Sequence, residues 1–87
     1  MATVKFTSAL YRFFPELTEK NINASNVRAL VEAADLDFPG LKNYILDDQG
    51  NIRKHVNIFV DGTVTDNVDE TISEYTEVYI IQALSGG

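Results

Sequence analysis

The residues that offer the clearest chemistry are the last two. The chain closes Leu84-Ser85-Gly86-Gly87, directly after the apolar stretch Val78-Tyr79-Ile80-Ile81. A glycine pair presents a main-chain carboxyl group on a stem with no side chains. A carboxylate is a poor electrophile, so reaction at Gly87 first requires conversion to a species with a good leaving group, such as an acyl-adenylate. An enzyme making that species must enclose the carboxyl closely, and glycine fits a narrow channel and adopts backbone angles closed to other residues. From Leu84 onward the stem extends at most about 13 Å, enough to insert while the body stays outside. With glycine usage near 7%, two terminal glycines arise by chance in about one chain in 200, so the pair gains its weight from following a strand.

Other reactive residues are few. Cysteine is absent, which removes disulfides, thiolate metal sites, iron–sulfur clusters and a cysteine nucleophile. Any sulfur the chain handles must then sit on its terminal carboxyl. His55 is the sole histidine and has no triad partner nearby in sequence, so it reads as a strand-end residue. Asp47-Asp48-Gln49-Gly50-Asn51 lacks the twelve-residue ligand spacing and closing glutamate of a calcium loop and reads as a turn. No phosphate-binding glycine loop, serine-nucleophile motif or metal-ligand cluster occurs, so a carrier or co-substrate is expected and not an enzyme.

The elements that must position the tail follow from hydrophobic periodicity. Thr3–Leu10 opens with Val4 and Phe6 on one face, a strand pattern that Pro15 later interrupts. Thr18–Asn23 is a weaker second strand. Val27, Leu30, Val31 and Ala34 recur at helical spacing, which predicts a helix over 25–35 with Ser25 as N-cap and Arg28 and Glu32 outward. Phe38-Pro39-Gly40 ends it, and Leu41–Leu46 makes a short helical turn. His55–Asp61 is the strongest strand, Asp61-Gly62 a turn, Thr63–Asp66 a short strand and Glu77–Ala83 the last one. Residues 67–76 are acidic and read as loop. One main helix on one face of a mixed four- to five-stranded sheet is the α+β solution for this order. The expected division is a folded body over 1–83 and a tail over 84–87.

If Val56, Ile58, Val60, Val78 and Ile80 face the helix, then Phe59, Tyr79 and Ile81 face away from it. In a two-layer fold that face is open, so these three form a candidate partner-binding patch leading to Leu84, Ser85 and the glycines. The competing reading is that a loop covers them.

Composition narrows the partners. The 87 residues carry a formal charge of −6, which disfavours nucleic acid. No apolar run is long enough to span a bilayer, and the N-terminus does not read as a secretion signal, so a cytoplasmic protein without a membrane role is expected. Asp69, Glu70, Glu74 and Glu77 read as a solvated face, with docking to a basic groove as the alternative.

The run His55-Val56-Asn57-Ile58-Phe59-Val60-Asp61-Gly62 and the ending Val78-Tyr79-Ile80-Ile81-Gln82-Ala83-Leu84-Ser85-Gly86-Gly87 resemble the MoaD/ThiS family of sulfur carriers. Phe38-Pro39-Gly40-Leu41 and the Asp-Gln-Gly-Asn connection add to the likeness, which covers essentially the whole chain. The resemblance implies a ubiquitin-like β-grasp fold. It also implies adenylation of Gly87 by an E1-like adenylyltransferase that holds ATP and magnesium, with Gly86 as its slender neighbour. A sulfur donor, a cysteine desulfurase or a rhodanese-like protein, then replaces AMP to leave a thiocarboxylate. A sulfur-accepting enzyme draws on that sulfur for molybdopterin, thiamine, cysteine or a thio-metabolite. Residues 63–76 depart from many relatives and leave the accepting enzyme open. A ubiquitin-like modifier joined to lysines would need the same activated glycine, and a plain binding domain would need neither.

Overall fold

The computed structural model describes residues 1–6, 14, 17 and 19–82. The expected continuation of the first strand past Phe6, the break at Pro15 and Ala83 in the last strand lie outside the described residues. The elements are β1 (Ala2–Phe6), β2 (Lys20–Ile22), α1 (Val27–Asp37), α2 (Leu41–Ile45), β3 (Val56–Val60), β4 (Thr63–Thr65) and β5 (Glu77–Gln82).

Alternation builds the sheet. Val4, Phe6, Val56, Ile58, Val78 and Ile80 are buried on one face, and the residues between them point the other way. The strand order is β2-β1-β5-β3-β4. β5 runs parallel to β1 and antiparallel to β3, so the strand that leads to the tail lies at the centre with both edges paired. Its register sets Ile80 between Phe6 and Ile58, and Val78 between Val4 and Val60. β3 and β4 meet through Asp61-Gly62, both at positive φ (49° and 87°), the two-residue hairpin geometry that favours Asp-Gly. The Asp61 carboxylate accepts from the Glu77 amide at 2.9 Å and fastens that hairpin to the start of β5.

Val27, Leu30, Val31 and Ala34 of α1 close the core against this face, as their spacing predicts. The helix begins one residue later than expected and reaches Asp37. Its N-cap is Asn26, not Ser25: Asn26 is extended (φ −152°, ψ 172°) and its side chain accepts from the Ala29 amide at 2.8 Å. A bridge between Asn26 and Thr71 holds that extended geometry, while the Ser25 carbonyl accepts from the Ile72 amide. The Val27 and Arg28 amides, which have no partner within the helix, donate to the Glu70 and Val68 carbonyls.

The acidic segment over 67–76 is therefore structural as well as solvated. It contains no helix or strand, but Val68 and Ile72 enter the core and Thr76 is buried. Thr65, Asn67, Ser73 and Thr76 side chains accept from nearby amides or hydroxyls and hold its shape. After α1, the Asp35 carboxylate accepts from the Gly40 and Lys42 amides, across a turn in which Gly40 sits at φ 97°. Asp47 does the same for the Gln49 and Asn51 amides, which makes the Asp-rich segment a turn. No helix among the described residues is long and apolar enough to cross a membrane.

Candidate functional site: the central strand and its open face

β5 places the candidate site. Because it is third of five strands, the chain passes toward residues 83–87 from the middle of the sheet. Leu84, Ser85, Gly86 and Gly87 lie outside the described residues, so the body that presents them is what the structure describes.

The face of the sheet away from α1 carries the three expected residues together. Phe59 and Tyr79 are register partners on β3 and β5, and Ile81 follows Tyr79 on the same face, opposite Asn57. Tyr79 is 40% exposed, and Phe59 and Ile81 are half-buried, so no described loop covers the patch. With Gly62 and Glu77 they line a shallow hollow of about 410 Å³.

The structure extends this patch in both directions. Val64, 55% exposed, pairs with Phe59, and Lys5 pairs with Tyr79, so one row crosses the sheet as Val64, Phe59, Tyr79, Lys5. Val64 was legible in principle: a two-residue turn at Asp61-Gly62 pairs Val60 with Thr63 and therefore Phe59 with Val64. Lys5 required the parallel β1–β5 pairing, which no local pattern announces. Its ammonium lies 5.5 Å from the Tyr79 ring centroid, 3.7 Å from Glu77 and 3.8 Å from Glu19. Those ion pairs are exposed and add little stability; they orient the lysine at the border of the apolar row.

The remaining candidates separate from this face. His55 is exposed in the turn before β3, as a strand-end residue should be. Of the acidic group, Asp69 pairs with Arg28 at 3.3 Å, Glu70 accepts from Thr65, and Glu77 pairs with Lys5. Among the described residues no group of three or more His, Cys, Asp or Glu could hold a metal ion. The described part of the site is an exposed apolar row beside and along the strand that leads to the tail.

The ThiS family model matches residues 4–87, a span that includes the glycine pair. Comparison with curated proteins gives no match. Among solved structures, a chain of the BexX/CysO complex of Amycolatopsis orientalis superposes with a TM-score of 0.86 at 13% identity, covering 100% of both chains. CysO of Mycobacterium tuberculosis gives 0.84 at 17% identity, covering 97% of this chain and 100% of that one. SAMP1 of Haloferax volcanii gives 0.78 at 19% identity, covering 99% and 98%. At such identities the superpositions establish the fold, and the family match establishes membership: this chain belongs to the ThiS family and has the ubiquitin-like β-grasp fold of its sulfur carriers.

Proposed function

We propose that the chain carries sulfur on the carboxyl carbon of Gly87. A Gly87 oxygen attacks the α-phosphorus of ATP on an E1-like enzyme with magnesium, and pyrophosphate leaves. A persulfide of a donor such as a cysteine desulfurase or rhodanese-like protein attacks the acyl carbon, and AMP leaves with the C–O electron pair. A thiol then cleaves the resulting S–S bond to leave the thiocarboxylate, which a sulfur-accepting enzyme consumes. The chain supplies the reacting group and the fit, and its partners supply the catalysis.

The observation that carries this reading is the ThiS family match through residue 87, where Gly86-Gly87 follows the central strand. The exposed row of Phe59, Tyr79 and Ile81 serves as the docking face that aligns the partner with Leu84 and Ser85 on the way to the glycines. The test is to incubate the purified chain with ATP, magnesium and an E1-like enzyme of its own cell and measure its mass. An acyl-adenylate, converted by the sulfur donor to a chain with sulfur in place of one oxygen, is the expected result; no adduct refutes the reading.

A second reading has one specific support. The Haloferax and Methanosarcina relatives of this fold are named small archaeal modifier proteins. Conjugation would use the same adenylate but end in an isopeptide bond to lysine. Intact mass of the chain from its native cell separates the two: sulfur for oxygen in one case, lysine-linked adducts in the other.

A further inference from the structure

The charges on this surface are unevenly matched. Among the described cations, Lys5, Arg28 and Lys42 each have a carboxylate within 4.0 Å, and Lys20 lies over the Phe38 ring. Arg53 and Lys54, consecutive and exposed, have none, and exposed His55 follows them. On a chain with a formal charge of −6, an unmatched basic turn runs against the general field.

The turn is held in shape. The Arg53 amide donates to the Ile45 carbonyl at 3.0 Å, its Nε donates to the Asn43 carbonyl at 2.7 Å, and its carbonyl accepts from the Val56 amide at 3.0 Å. Two carboxylates border the hollows beside it. Asp47 shares one with Arg53, Lys54 and His55, but its Oδ1 already accepts from the Gln49 and Asn51 amides. Asp66 shares the other with Arg53, and neither acid makes an ion pair with the turn. Arg53 and Lys54 are thus exposed on an ordered backbone, and neither has a carboxylate partner among the described residues.

Their place in the fold gives them a purpose. Val56, the residue after His55, is the register partner of Gln82, the last described residue of β5. The basic turn thus stands beside the point from which the chain runs to Gly87, at the end of the sheet nearest Ile81. We propose that Arg53, Lys54 and His55 dock the carboxylate-rich rim of the protein that receives the tail. This rests on the reading of Gly87 as the reacting group. Five residues from Ala83 to Gly87 extend at most about 17 Å, so a phosphate joined to Gly87 can lie well inside the partner while the turn stays with the body. The turn accordingly meets the mouth of the partner's channel. Apolar contact at the centre with charge at the border is the usual anatomy of a protein interface, and border charges act chiefly on association rate and its salt dependence.

The test has two arms. In the first, the ¹⁵N-labelled full chain is titrated with a hexaglutamate peptide at low salt. Amide shifts concentrated on residues 53–57, abolished by R53E/K54E and by added salt, are expected. No shifts, shifts spread evenly over the chain, or shifts at the turn with ATP but not with the peptide overturn the proposal. In the second, pyrophosphate release by the E1-like enzyme is followed against carrier concentration. R53E/K54E should raise KM about tenfold at low salt with kcat unchanged, and the gap should close as salt rises. K54E alone keeps the Arg53–Asn43 hydrogen bond and should raise KM about threefold. K20E/K42E, with the same change in net charge elsewhere, should leave KM within twofold. Equal KM values for R53E/K54E and K20E/K42E overturn the proposal. A wild-type chain that forms no adenylate defeats the carrier reading instead, and the peptide titration then decides the turn by itself.

Discussion

Ile58 and Phe59 are neighbours in sequence that the pleat sends to opposite faces, and replacing each with alanine should separate folding from docking. Ile58 is fully buried and packs beside Ile80 in the central rows of the core. Truncation removes three carbons' worth of buried surface, about 2.4 kcal/mol at 0.8 kcal/mol per methylene, and residual cavity brings the cost to about 3–4 kcal/mol. A chain of 87 residues has a total stability of about 4–13 kcal/mol at 0.05–0.15 kcal/mol per residue. Ile58→Ala should therefore lose much of it and melt about 12–32 °C lower, at 4–8 °C per kcal/mol. Phe59 is only half-buried, so its truncation gives up about half of a full transfer term, near 1 kcal/mol, and lowers the melting point by about 4–8 °C. Its effect on a partner should be larger: a central aromatic at an interface contributes about 2 kcal/mol or more, close to a 30-fold rise in KM for adenylation. The assays are thermal unfolding by circular dichroism and pyrophosphate release with the E1-like enzyme, both at a temperature where Phe59→Ala is folded. A Phe59→Ala chain that unfolds as readily as Ile58→Ala refutes the assignment of faces. One that folds and is adenylated with wild-type KM refutes the docking face.

Three further expectations follow from local geometry. Asn26→Ala should cost about 1 kcal/mol by leaving the Ala29 amide uncapped, whereas Ser25→Ala should stay within about 0.5 kcal/mol; urea denaturation of both distinguishes them. Gly62→Ala should cost about 1–2 kcal/mol from its positive φ alone, since an added Cβ meets nothing within 4 Å, and a cost above about 3 kcal/mol in the same assay would show that the hairpin is held otherwise. Deleting Gly86 and Gly87 should abolish adenylate formation while the melting temperature stays within about 2 °C, as read by intact mass and calorimetry; a truncated chain that still forms the adenylate, now on Ser85, refutes the requirement for the glycine pair.

Much of this fold was legible because its strands alternate cleanly. Val4 and Phe6, Val56 and Ile58, and Val78 and Ile80 each repeat with a period of two, and Val27, Leu30, Val31 and Ala34 repeat with the helical period. What the sequence concealed came from contacts between distant segments. Ser25 and Asn26 are both good caps, and the choice was made by the Asn26–Thr71 bridge, a partner far along the chain. Val68 and Ile72 enter the core from an acidic context with no strand or helix around them, so periodicity had nothing to register. The candidate face was legible for Phe59, Tyr79 and Ile81, because alternation alone sends them opposite to the core. Lys5 joined them only through the parallel pairing of the first and last strands.

That pairing also explains why one strand can serve both as anchor and as guide. β5 is registered over five positions with β3 and over four with β1, while the edge strands β2 and β4 have three residues each. A tail drawn into a partner's channel would pull on a strand hydrogen-bonded along both edges. Along that strand Val78 and Ile80 grip the core, and Tyr79 and Ile81 alternate with them on the open face. Because the side-chain period is two, a one-residue slip of β5 would expel Val78 and Ile80 and bury Tyr79 and Ile81, so the packing that stabilises the body also fixes which residues the open face presents. The distance from Tyr79 to the start of the tail is then set by strand rise and not by a loop, about 10 Å over the three residues to Gln82. On the proposed docking of this face, a partner that seated Phe59 and Tyr79 would thereby place Gln82 and leave only the five residues beyond it to reach its catalytic centre.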